Sequence, residues 1–226
     1  MKKTIISGVI TIAVVLLSSQ FVQAQGTMTY LSNVDQTSVG SLAVGSDSWV
    51  AELFKTGTNA SGYLLDSIQL GLTDATGTPS GFTVMIYSSI GGTMGPDPVP
   101  ANNLGTLNGS LNPVSGGIFT YIPTSNLTLL PSTQYFIVLT AGTTVADGAY
   151  DWSYVGANSY NPSDAWSIHG GVVSSSNGSS WPHVFSLNYP QFAITATPIP
   201  EPGVLALSGL GGLLILWHRR KTKAVL

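Results

Sequence analysis

The stretch Gln134-Tyr135-Phe136-Ile137-Val138-Leu139-Thr140-Ala141 decides the fold. It is a short apolar run closed by Gly142, and apolar side chains fall on both of its alternating faces. Such a run reads as a central strand buried on both sides. The segments around it alternate instead. Leu64 to Leu72 sets Ile68, Leu70 and Leu72 against Gln69 and Gly71. Phe82 to Ser88 places Phe82, Val84 and Ile86 on one face, and Ser48 to Thr56 reads as an earlier strand. Gly117 to Ile122 and Leu127 to Leu130 are shorter candidates. Asp151 to Gly156, Ala165 to His169, His183 to Asn188 and Gln191 to Ala196 complete the set.

Turn chemistry separates these runs. Gly91-Gly92, Pro96-Asp97-Pro98, Asn108-Gly109, Asp147-Gly148 and Asn177-Gly178 supply the backbone freedom that tight connections need. No 11-residue window carries an apolar helical stripe free of Gly and Pro. About nine or ten strands with regular turns predict an all-β fold: a single β-sandwich, jelly-roll-like, with a closed barrel as the alternative. No fixed-period repeat points to a propeller or solenoid.

The composition fits an exported β-domain. The chain has 226 residues, of which 8% are charged and 43% hydrophobic, with 26 glycines and no cysteine. Between Gln25 and Thr197 one lysine, Lys55, stands against nine acids, a formal charge of −8. That surface repels nucleic acid and anionic headgroups, so no nucleic-acid partner is expected. Without disulfides, stability must come from packing and backbone pairing.

Both ends read as targeting segments. Lys2 and Lys3 precede the uncharged run Ile5 to Leu17, and Val22-Gln23-Ala24 offers a small-residue cleavage site. Residues 1–24 therefore read as a signal peptide with a signal helix, cleaved after Ala24. The apolar run covers roughly 20 Å as a helix, short of a bilayer core, which argues against an uncleaved anchor. At the other end Val204 to Trp217 is apolar all round, holds three glycines, and is followed by Arg219, Arg220 and Lys221. This predicts a C-terminal transmembrane helix over about 204–217, with a basic cytoplasmic stop behind it. Residues 25–197 are then the ectodomain, and 198–226 the sorting and anchor segment. Pro198-Ile199-Pro200-Glu201-Pro202 reads as an extended stalk, because proline resists helix and sheet interiors.

The order Pro200-Glu201-Pro202, short Gly-rich apolar helix, Arg219-Arg220-Lys221 resembles the PEP-CTERM sorting signal. The same kind of tail is also catalogued as the ice-binding protein C-terminal domain. The resemblance spans Thr197 to Lys223. It implies recognition by a membrane-embedded exosortase, cleavage near the tripeptide, and delivery to the cell surface, outer membrane or exopolysaccharide matrix of a Gram-negative bacterium. No Thr-x-Thr ladder at regular spacing is present, so ice binding is not expected. The middle of the chain resembles the choice-of-anchor domains, type R. The carriers are Leu64 to Leu70, Val84-Met85-Ile86-Tyr87-Ser88, the Leu129 to Leu139 block and Asp151-Trp152-Ser153-Tyr154. That likeness implies an exported β-domain without a defined ligand.

Catalytic chemistry is thin. His169 and His183 are the only histidines of the ectodomain, and no G-x-S-x-G elbow supports a triad of Asp164, His169 and a serine. A glycosidase needs two facing carboxyls; Glu52 is the only glutamate of the ectodomain, and Asp147 and Asp151, beside a turn and aromatics, are the best aspartate candidates, read first as solvated loop acids. The reading is therefore no enzyme and no cofactor. Asp147 and Asp151 flank a turn, and a calcium site on loop carbonyls with either is the one metal site left open. Tyr150, Trp152, Tyr154, Tyr160, Trp166 and Trp181 crowd into 32 residues, less than one fifth of the ectodomain. As exposed rings they would stack on sugars, so a polysaccharide platform of Trp152, Tyr154, Trp166 and Trp181 is weighed against plain core packing. Trp181, in polar surroundings, is expected to be the most exposed. Four N-x-[ST] sequons, at Asn59, Asn108, Asn126 and Asn177, are discounted beside a bacterial tail. The leading expectation is an anchored surface or matrix structural protein; the alternative is a glycan-binding module built on the Tyr150–Trp181 cluster.

Overall fold

A computed structural model describes residues 26–91, 97–156, 160, 162–168, 172–182 and 189–201. The expected signal segment, the expected helix over 204–217, the basic stop at Arg219, Arg220 and Lys221, and both ectodomain histidines lie outside them. Among the described residues no helix is long and apolar enough to cross a membrane.

Residues 26–199 form one compact unit, and its regular elements among the described residues are all strands. In chain order these are β1 (Met28–Ser32), β2 (Gly40–Val44), β3 (Trp49–Lys55), β4 (Tyr63–Gly77) and β5 (Thr83–Ile90). Then come β6 (Val99–Asn108), β7 (Gly117–Pro123), β8 (Thr128–Leu129), β9 (Gln134–Thr140) and β10 (Gly148–Val155). The last are β11 (Ser167–Ile168), β12 (Val173–Ser175), β13 (Tyr189–Pro190) and β14 (Phe192–Pro198). All pairings between them are antiparallel. One layer runs β1-β14-β4-β7, and the other β6-β5-β9-β3 with β11 and β12 end to end along the far edge of β3. The layers join at one corner, where Leu107 and Asn108 of β6 pair with Pro123 and Ile122 of β7. The sheet is thus nearly closed on itself, between a sandwich and a barrel.

The 15 residues of β4 are the spine of the first layer. Along one edge it pairs first with β14, from Tyr63 to Leu70, and then with β10, from Leu72 to Gly77. Ile68, Leu70 and Leu72 point inward and are buried. They meet Val50, Phe54, Val84, Ile86, Ile137 and Leu139 from the second layer in one core. The second layer is also covered outside. Ala51, Leu53, Met85, Tyr87, Phe136 and Val138 form a second cluster, closed by Val173 and Trp181. β9 belongs to both clusters, as its two apolar faces require.

The change of partner along β4 leaves a seam, and side chains of the sheet's outer face close it. The Gly71 N–H donates to the Gln191 carbonyl, and the Gln191 N–H donates to the Ser153 carbonyl. Ser153 Oγ donates to Gln191 Oε1 at 2.5 Å. Gln191 Nε2 donates to the carbonyls of Asn33 and Gln36, in the loop after β1. Asn33 answers with Nδ2 on the Pro190 carbonyl and Oδ1 on the Phe192 N–H. A Cβ on residue 71 would lie 2.9 Å from the Gln191 Cβ, so glycine is required where the amide packs on the strand. Replacing Gln191 by alanine removes the amide that the Ser153 hydroxyl and the Asn33 and Gln36 carbonyls share, although Ser153 Oγ keeps the Gly71 carbonyl and the Asn33 carbonyl keeps the Gln36 N–H. Gln191→Ala is expected to lower unfolding stability by about 1–3 kcal/mol in urea titrations of residues 26–199, the scale of one buried hydrogen-bond partner lost.

Candidate functional site

The aromatic residues that crowd together in sequence are dispersed by the fold. Tyr150 sits in the core against Phe82, with ring centroids 4.9 Å apart, and its hydroxyl donates to Asn112 Oδ1. Trp152 is fully buried, and its indole N–H donates to the Gln191 carbonyl at 2.9 Å. Trp166 stacks on Tyr30 at 4.8 Å and meets Tyr63 edge-on at 4.9 Å. Tyr154 and Tyr160 are half-buried. Trp181, expected at the surface, is only 9% exposed because it roofs the second apolar cluster. The stacking platform is therefore not formed by Trp152, Trp166 and Trp181: their rings are spent on packing, and only Tyr154 retains partial access. In a chain with no disulfide, large rings are the cheapest way to fill the space between twisted layers.

Asp147, Asp151 and Asp164 are likewise satisfied locally. Asp147 Oδ2 accepts from Thr144 Oγ1 at 2.7 Å and so closes its own turn. Asp151 lies on the outer face of β10, accepting from Ser41 Oγ and Thr76 Oγ1. Among the described residues no three His, Cys, Asp or Glu side chains are placed to share a metal ion. Asp164 accepts from the Tyr63 hydroxyl at 2.5 Å. Burial, reinforced by that bond, pushes the Tyr63 phenol up to about 12.

Glu52 is the group that sequence reasoning passed over. It lies between Val50 and Phe54 on the inward face of β3, opposite Ile137 of β9. Its side chain is 0% exposed, and neither carboxyl oxygen has a hydrogen-bond partner. Burial raises its pKa well above the usual carboxylate range. A lone acid inside an apolar core is held neutral, and with no exposure it has no access to a sugar substrate.

One shallow cleft of roughly 220 Å³ opens on the outer face beside the Gln191 seam. Its walls include Gln36, Ser38, Thr73 and Ile118, and its floor Gly71 and Ser153. Two lining polar groups, Ser153 and Gln191, are already engaged with each other.

The C-terminal end of the domain is defined most sharply. β14 ends at Pro198, whose position on β4 faces Tyr63. The Ile199 N–H donates to the Gly62 carbonyl at 3.0 Å, and Asn59 Nδ2 donates to the Ile199 carbonyl at 3.0 Å. Pro200 and Glu201 follow as exposed residues; Pro202 lies outside the described ones.

Comparison with known proteins finds the PEP-CTERM protein-sorting motif over residues 198–221. No curated protein matches the chain. Among solved structures it is similar to the cysteine protease and lectin-like domains of Cwp84, a surface layer associated protein of Clostridium difficile, at 13% identity and a TM-score of 0.49. That likeness covers 76% of this chain, which spans only 36% of the other.

Two outcomes are expected from these placements. Below pH 4.5, Glu52 is protonated in both folded and unfolded chains. As pH rises, the unfolded chain releases a proton that the folded core retains, so Glu52 costs about 1.4 kcal/mol per pH unit until its raised pKa is passed. Thermal melts from pH 4.5 to 8 should show a falling contribution that Glu52→Gln abolishes; a wild-type and variant pair with parallel profiles would contradict this. Trp166→Ala should cost about 3–5 kcal/mol of stability, read by denaturant unfolding, as loss of a core ring does.

Proposed function

We propose that the chain is an exported surface protein whose β-domain is passed by its C-terminal motif to a membrane-embedded exosortase. The sorting motif over 198–221 supports exosortase-dependent export to the envelope of a Gram-negative cell. In this reading the enzyme cuts near Pro200-Glu201-Pro202, releasing the domain from its membrane helix. The domain is then kept at the surface or in the exopolysaccharide matrix as a structural component. It is displayed in the manner of a choice-of-anchor (type R) domain, jelly-roll-like in build, and is not an enzyme.

The observation that carries the reading is the position of the motif. It begins at the residue where the last strand ends, and its next residues emerge exposed. A folded domain followed at once by an accessible, proline-rich segment suits an enzyme that grips extended chain. The acidic middle of the protein favours neutral or cation-bridged surroundings over anionic lipid.

The test is the intact mass of the mature protein from its own host, with and without Pro200, Glu201 and Pro202 changed to alanine. The wild type is expected to end near residue 200, and the triple variant to keep Val204 to Leu226 and stay with the membrane. If both keep that tail, the segment is a permanent anchor and processing is excluded.

A further inference from the structure

There is no slack between the domain and its sorting motif. The motif starts at 198, inside β14, and Ile199 is held by both of its backbone groups. The holder is a closed turn. The Gly62 N–H donates to the Asn59 carbonyl at 2.9 Å, and Asn59 Nδ2 donates to the Gly62 carbonyl at 2.6 Å. The Asn59 N–H donates to the Tyr63 hydroxyl at 3.0 Å, which ties the turn to the Asp164 carboxylate. Gly62 has φ +81°, and a Cβ there would meet the Leu129 carbonyl oxygen at 2.5 Å, so glycine is needed to close the turn. Asn59 is half-buried and Gly62 buried, which shields these bonds from water.

An enzyme that binds an extended segment does so largely through backbone N–H and C=O groups on both sides of its target. Here Pro198 and Pro200 have no N–H to offer. Ile199 has both groups, and both are already taken by the turn. We infer that the Asn59–Gly62 turn is a latch on the sorting segment: Ile199 must leave it before the tripeptide can be seated, so latch opening sets the rate of processing. This rests on the sorting reading above. Asn59 acts through Ile199 and is a positioning residue.

The experiment is a pulse-chase of the full-length protein in its host, following conversion of precursor to processed form. Four chains are compared: wild type, the Pro200/Glu201/Pro202 triple alanine, Asn59→Ala, and a chain with Gly-Ser-Gly-Ser inserted between Ile199 and Pro200. Asn59→Ala removes the side-chain bonds to Ile199 and Gly62 and is expected to shorten the conversion half-time roughly fivefold, the scale of one lost hydrogen bond. The insertion leaves the latch shut but moves the tripeptide away from it. It is expected to accelerate conversion by a similar factor while the melting temperature of the domain stays at the wild-type value. Rates at or below wild type in both variants overturn the latch. So does acceleration in only one: the insertion alone would mean crowding by the domain, and Asn59→Ala alone a loosened fold. Wild-type conversion of the triple alanine would instead sink the sorting reading itself, and the latch with it.

Discussion

The carbonyl of Gln191 accepts the Gly71 amide and the Trp152 indole together, and the rest of the domain is arranged around that point. β4 is too long for one partner along this edge, so β14 and β10 share it end to end. Where two strands meet on one edge, backbone groups are left over. In a buried place each orphan costs as much as a lost hydrogen bond. The carboxamides of Gln191 and Asn33 carry donor and acceptor on one planar group, which lets a single side chain complete both broken ladders. Seven buried polar residues are found among the described ones, and Asn33, Ser153 and Gln191 are three of them. The loop after β1 packs against the seam, where Asn33, Ser153 and Gln191 are all buried.

With the first layer fixed, the second is free to be apolar on both sides. β9 at its centre needs cover inside and out, and the segment carrying β12 and Trp181 provides the outer cover. Glu52 sits in the middle of this arrangement without a partner. Among the described residues nothing packs on it that neutralises or solvates a charge, so the fold accepts it only as the uncharged acid. The core thus has one position whose fit depends on proton availability, while its aromatic clusters are indifferent to it.

Much of this architecture was legible in the residues. β5 and the first half of β4 follow from period-2 burial, because their side chains decide which face is inside, and β9 follows from its unbroken apolar run, which needs cover on both faces. β6 was not legible: Pro100 and two asparagines break its alternation, and its register slips against β5. There Asn103 bonds the Gly105 N–H locally, chemistry that reads as a loop. The end of β4, Thr73 to Gly77, is polar and is kept extended by β10 rather than by its own pattern. β1 and β2 are short and get their partners from the far end of the chain. The aromatic run misled for a related reason. Neighbours in sequence can be distant in a sandwich, and a polar setting such as Ser179-Ser180-Trp181 says nothing of the apolar face beneath it. The tail was legible as a linear motif, because its recognition uses no fold. The turn that meets it was not, since Asn59 and Ile199 are 140 residues apart and Asn59 presents itself only as part of a sequon.

The place of β14 has one more consequence. It lies between β1 and β4, so the first strand of the domain and its longest strand both wait for the last one. A chain that arrives N-terminus first, as synthesis and threading through a pore deliver it, cannot complete this layer until residues 192–198 have arrived. Such late, long-range closure is slow and keeps the chain extensible in transit. The domain stays threadable until nearly all of it has passed, and the segment that completes it runs directly into the one that would be cut to release it.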